Sequence, residues 1–114
     1  MAVDNLLYID DNDTVRPLVL ERFRNELTEN VDAASRYQAG LDLMKAKFYD
    51  LIVVDALHEK CFRLAEDAKA IRHGQIVIFS FSPGLAEPAR ILNIPFYMKP
   101  EGLGRLISDY GGKK

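Results

Sequence analysis

Five side chains in this sequence carry complementary chemistry, and each stands at the end of an apolar run. Asp10 and Asp11 follow Leu6-Leu7-Tyr8-Ile9, Asp55 follows Leu51-Ile52-Val53-Val54, Ser80 closes Gln75-Ile76-Val77-Ile78-Phe79, and Lys99 follows Phe96-Tyr97-Met98. Brought to one place, three carboxylates repel one another by roughly 4 kcal/mol per pair at about 4 Å and an effective dielectric of about 20. A hard dication relieves that repulsion, and Mg2+ is ordinarily held by one or two carboxylates, water and a phosphoryl oxygen. With Lys99 as a further positive charge and Ser80 as a hydrogen-bond donor, Asp55 would attack phosphorus in line. The product of that chemistry is an aspartyl phosphate.

Such a site exists only if the chain brings these ends together. Leu51–Val54 has no polar alternation, the pattern of a strand covered on both faces in a parallel sheet. Leu6–Ile9 and Gln75–Ser80 read the same way, Asn30–Ala34 is a weaker strand, and Phe96–Met98 is a short last one. Between them the apolar spacing turns helical. Val15, Leu18, Val19, Phe23 and Leu27 mark a first helix, with Asn12-Asp13 as turn and capping residues and Pro17 in the first turn. Ser35 is expected to cap a second helix with Tyr37, Leu41, Met44 and Phe48 on its apolar face. Cys61, Leu64, Ala65, Ala68 and Ile71 mark a third, which Gly74 is expected to end. A fourth should start near Pro88, and Leu103, Leu106 and Ile107 give a brief fifth. Five strands alternating with helices predict an α/β, doubly wound, parallel sheet with helices on both faces. In such sheets ligands bind outside the carboxyl ends of the strands.

The bulk properties bound the function. At 114 residues the chain fits one domain, and 48% hydrophobic with 28% charged residues excludes wholesale disorder. A net charge of -2 gives no general pull toward nucleic acid or an anionic membrane, and neither is expected as a partner. The single Cys61 closes no intrachain disulfide and no apolar run approaches a membrane span, so a cytoplasmic protein is expected. Gly111–Lys114 reads as a tail or a truncated connection after a domain over residues 1–110, leaving either a stand-alone chain or a fragment of a longer one. His58 has no partner His or Cys at ligand spacing and reads as a loop residue, His73 as a helix-end residue and Cys61 as core.

With the strand-end residues in view, residues 5 to 108 resemble the receiver domain of two-component response regulators, of the CheY-like superfamily. The resemblance implies a flavodoxin-like sheet of order 2-1-3-4-5. It implies that Asp55 accepts phosphate from a sensor histidine kinase or phosphotransfer protein and that Ser80 and Lys99 complete the site. Mg2+ would be held by Asp11 directly, by Asp10 through water, by Asp55 and by the backbone carbonyl of Leu57. A cis Lys99-Pro100 bond and a switch aromatic at Phe96 belong to the same pattern. A signalling phosphoacceptor rather than an enzyme is implied, and a homodimer is compatible with it.

The sequence departs from that family in three places. The helix after Ser80 is abbreviated and holds Pro88, so that the usual signalling face of helix four, strand five and helix five is expected to be remodelled. Ala56-Leu57-His58-Glu59-Lys60 replaces the usual Met-Pro and later Gly, in a segment that looks shortened. Phe81 stands where the residue after the hydroxyl is usually small, and its bulk is expected to slow attack by water. Two other readings stand beside this one. A pseudo-receiver would keep the fold as an interaction module without phosphorylation. Asp11-Asn12-Asp13-Thr14-Val15 also looks like the signature of haloacid-dehalogenase-type phosphatases, in which Asp11 would be the nucleophile.

Overall fold

The computed structural model describes residues 3–111. Met1, Ala2 and Gly112-Lys113-Lys114 lie outside the described residues, and with them most of the expected tail. Strands β1 (Leu6–Ile9), β2 (Val31–Ala34), β3 (Leu51–Val54), β4 (Gln75–Ser80) and β5 (Phe96–Met98) alternate with helices α1 (Val15–Glu26), α2 (Tyr37–Ala46), α3 (Cys61–Ile71), α4 (Ala86–Ile91) and α5 (Gly102–Tyr110). All pairings are parallel and the order is 2-1-3-4-5. This is the doubly wound architecture the alternation predicts.

Alternate residues of each strand enter opposite layers, which is why the central runs are apolar throughout. Leu7, Ile9, Ile52, Val54, Ile76 and Ile78 pack with Met44, Leu64 and Ala89 of α2, α3 and α4. Leu6, Tyr8, Leu51, Val53, Val77 and Phe79 pack with Phe23 of α1 and Leu106 of α5. Among the described residues no helix is long and apolar enough to cross a membrane.

Several helix details differ from the sequence pattern. Thr14 holds the cap position of α1 without a side-chain capping bond, and Asn12 serves the turn before it, its Oδ1 accepting the N–H groups of Thr14 and Val15 at 2.9 Å. Leu18, assigned to the inner face, is exposed, and Leu20 is buried instead. Ser35 does not cap α2: Arg36 holds the cap position in extended backbone, with no side-chain capping bond. That helix stops at Ala46, so Phe48 falls beyond it and is exposed. Ile71 is the last residue of α3 and is partly exposed. Arg72 rather than Gly74 ends α3, in left-handed backbone with φ 67° and ψ 44°. Gly74 serves a different purpose, since a Cβ there would lie 2.2 Å from the carbonyl oxygen of Asp50. α4 begins two residues before Pro88, following a 3-10 turn over Pro83–Leu85.

The register fixes the functional edge. Ile9 pairs with Val54, Val54 with Ile78, and Ser80 with Met98. The residues that follow those positions therefore leave the sheet along one carboxyl-terminal rim.

Candidate functional site

Asp10 is the most enclosed charge on that rim, with no exposed surface. Its Oδ1 accepts the Asn12 N–H at 2.9 Å, and its Oδ2 accepts both the Tyr8 hydroxyl and, at 2.6 Å, the Lys99 ammonium. Burial alone would push the carboxyl up, but the bonds from Lys99, Tyr8 and Asn12 outweigh it and hold Asp10 below the usual carboxylate range. Lys99 reaches Asp55 as well, at 3.4 Å from Oδ1. Burial holds the Asp55 carboxyl above its usual range, an effect that Lys99 and the Ala56 N–H only partly offset.

Carboxylate oxygens of Asp10, Asp11 and Asp55 all lie within 4.8 Å of one another. Asp11 is the open member, with its side chain 42% exposed against 14% for Asp55. Ser80 is buried at the end of β4, where its Oγ accepts the Ser82 N–H at 3.1 Å. Among the described residues its own hydroxyl hydrogen has no acceptor. A buried donor left without a partner is uncommon and points to a ligand that supplies one.

The structure thus brings Asp10, Asp11, Asp55 and Lys99 into one cluster, with Ser80 on the same rim, its hydroxyl bonded to Ser82 and its backbone carbonyl accepting the Lys99 N–H at 2.9 Å. Phe96 is not part of that cluster; it is half-buried against the core under α2, α3 and α4. The Lys99-Pro100 bond is cis. Phe81 is half-exposed, its ring centroid 5.4 Å from the Lys99 ammonium, and Phe79 and Tyr8 stand at 5.3 and 5.9 Å. Three aromatic faces and two carboxylates therefore hold a nearly inaccessible ammonium.

Tyr8 is the site residue that the strand pattern conceals. It reads as one member of an apolar run, yet it precedes Asp10 by two positions and so shares its side of β1. Its phenol is pushed far above its usual value, first by burial and then by the bond to Asp10.

The loop after β3 is the other surprise. Leu57, His58 and Glu59 have φ of 51°, 54° and 69°. None is glycine, and left-handed backbone costs such residues about 1–2 kcal/mol each. The buried Leu57 side chain anchors the turn in the core. The Leu57 carbonyl accepts the Lys60 N–H at 3.1 Å, so one of its lone pairs is already in use. The loop itself forms one wall of a recess of about 560 Å³, lined also by Asp11, Asp55, Phe62, Ser82, Leu85 and Pro88.

No protein-family pattern matches the sequence, and no curated protein matches it. Solved structures do resemble it. A CheY-like response regulator receiver domain protein from Methanospirillum hungatei JF-1 aligns with a TM-score of 0.79 at 20% identity, covering 95% of this chain and 90% of that one. A CheY-like receiver domain from Methylobacillus flagellatus gives 0.76 at 15% identity, covering 95% and 98%. Chemotaxis response regulator CheY4 of Vibrio cholerae gives 0.69 at 17% identity, covering 96% and 98%. At these identities what is shared is the fold: this chain has the fold of response regulator receiver domains.

Proposed function

We propose that this chain is a phosphorylation-dependent switch of the two-component kind, in which Asp55 accepts a phosphoryl group from a histidine kinase or phosphotransfer protein. The observation that carries this reading is the buried Lys99 ammonium, shared between Asp10 at 2.6 Å and Asp55 at 3.4 Å on the carboxyl rim. A cytoplasmic setting follows from that reading and from its donors. The chain is a signalling phosphoacceptor rather than a turnover enzyme.

The rim suits a hard dication such as Mg2+ by the chemistry of its donors, which are all oxygens. Asp10 has its oxygens committed to Asn12, Tyr8 and Lys99. Asp11 and Asp55 remain to hold the ion, a set of two carboxylates that leaves room for water. Asp10 contributes at most through water, and Leu57 through the free lone pair of its carbonyl. When bound, the ion supplies positive charge to the phosphoryl oxygens.

The protein's own groups do the rest. An Asp55 oxygen forms the new bond to phosphorus as the donor's bond to phosphorus breaks. Lys99 then has a stronger anion beside it than the Asp55 carboxylate was. Moving toward it does not strand Asp10, because Tyr8 and the Asn12 N–H stay in place. The unpartnered hydrogen of Ser80 gains a phosphoryl oxygen as acceptor. That shift leaves space toward which half-buried Phe96 can turn, biasing an equilibrium between two existing arrangements.

One observation favours a second reading, the unphosphorylated pseudo-receiver: the Leu57 carbonyl is engaged by Lys60 within a left-handed turn. The phosphatase reading is disfavoured. Asp13, the second acid of that signature, is bonded to Arg16 at 2.8 Å with its side chain 85% exposed. Intact mass after incubation with acetyl phosphate and Mg2+ separates these readings. One phosphoryl adduct on the wild type and on Asp11→Asn at reduced yield, and none on Asp55→Asn, is the expected result. No adduct with any donor would favour the pseudo-receiver, and donor turnover dependent on Asp11 without Asp55 would favour the phosphatase.

A further inference from the structure

The left-handed turn after β3 has an effect on the rim beyond displacing the Leu57 carbonyl. It carries His58 back toward β1, so that Nε2 lies 3.7 Å from Asp11 Oδ2 although the imidazole is otherwise 88% exposed. His58 also lines the recess that Asp11 and Asp55 share. We propose that His58 is a metal ligand, adding a nitrogen donor beside Asp11 and Asp55 and turning an all-oxygen cation site into one that prefers late transition-metal dications such as Co2+, Ni2+ and Zn2+ over Mg2+. This rests on the reading of the rim as a cation site.

Geometry and donor chemistry both support it. Two donors on one ion, with bonds of about 2.0–2.2 Å, stand roughly 3–3.5 Å apart. The spacing of 3.7 Å from His58 to Asp11 needs a shift of a few tenths of an ångström to match, and a larger swing of the ring brings it to Asp55, since His58 stands outside the group of donors, Asp10, Asp11 and Asp55, that lie within 4.8 Å of one another. An exposed side chain makes such a shift freely. Imidazole suits late first-row dications, whereas Mg2+ keeps to carboxylate, carbonyl and water. His73 offers an internal control. Its Nδ1 accepts the Tyr49 N–H at 3.0 Å and its Nε2 meets the Met44 carbonyl at 2.6 Å, so neither nitrogen is free for an ion.

The test uses metal-stripped protein without phosphodonor. Wild type, His58→Ala, His58→Gln and Asp11→Asn are titrated with MgCl2, with CoCl2 followed by visible absorption, and with ZnCl2 against a chromophoric chelator. Loss of the His58 imidazole is expected to weaken Co2+ and Zn2+ binding by about tenfold or more, as loss of a ligand does. Mg2+ affinity should stay within about twofold, since Mg2+ does not draw on nitrogen.

Equal changes for Mg2+ and Co2+, or none for either, overturn the proposal. So does tighter binding of every ion to His58→Ala, which would make His58 merely an ion-pair partner of Asp11. Asp11-dependent Mg2+ binding with all ions indifferent to His58 removes this proposal alone. No ion binding to the wild type removes the cation site with it.

Discussion

At the amino-terminal edge of the sheet, Asp50 accepts the backbone N–H groups of Asp4 and Asn5 at 2.5 and 2.8 Å, and His73 bridges Tyr49 and Met44. Gly74 and Gln75 donate to the carbonyls of Tyr49 and Asp50 at 3.0 and 2.8 Å. At the carboxyl-terminal edge, Ser80 has a hydrogen with no acceptor among the described residues, Asp55 is held above the usual carboxylate range by burial, and three consecutive residues adopt left-handed backbone. The sheet between them is the same. Polar groups with fixed internal partners hold the strands together at one end, while groups left short of partners at the other are available to a ligand.

Substitutions at the two edges should therefore have opposite signs. The largest effect is expected at the amino edge. Gly74→Ala forces a methyl against the Asp50 carbonyl, which belongs to backbone and cannot swing aside. A loss of about 3 kcal/mol in urea unfolding is expected; a neutral result would mean that this edge yields easily and would remove the contrast. At the carboxyl edge, Asp55→Asn should raise stability by about 1 kcal/mol while abolishing the phosphoryl adduct, since it removes a buried charge that function retains. Destabilisation instead would show that Lys99 depends on Asp55 for its place.

The smallest effect concerns pH. Asp32 is held below the usual carboxylate range, first by the Tyr49 hydroxyl at 2.7 Å, which burial opposes, and further by Lys47. A depressed carboxyl stabilises the fold above its unfolded value near pH 4, and that contribution is lost as pH falls through the lower folded value. Tyr49→Phe should cost about 0.5–1 kcal/mol at neutral pH, reduced by the partial exposure of the Asp32 side chain. The difference from wild type should shrink below pH 4, as urea curves at several pH values would reveal.

The strands were legible because burial on both faces leaves no room for a polar residue until the chain reaches the rim. For the same reason Asp10, Asp11, Asp55, Ser80 and Lys99 stood out by position. Helix ends were less legible. Phe48 continues the apolar spacing past the point where α2 stops, Ile71 is partly exposed as the last residue of α3, and Leu18 faces water while Leu20 turns inward. Spacing records which residues could share a face but not where the neighbouring sheet ends. Tyr8 was hidden because a phenol counts as apolar in a run, and its bond to Asp10 depends on a shared side of one strand. The turn at Leu57-His58-Glu59 was hidden for a different reason: none of these residue types favours positive φ, so only the anchored Leu57 side chain and the flanking hydrogen bonds impose it.

The chain contains no tryptophan, and one of its five tyrosines lies directly under the rim. Tyrosine emission, ordinarily masked by indole, is here the dominant intrinsic signal, and the Tyr8 hydroxyl is in contact with the carboxylate whose other partner is Lys99. The molecule thus carries its own optical reporter of events on the rim, readable without a label and isolated by comparison with Tyr8→Phe.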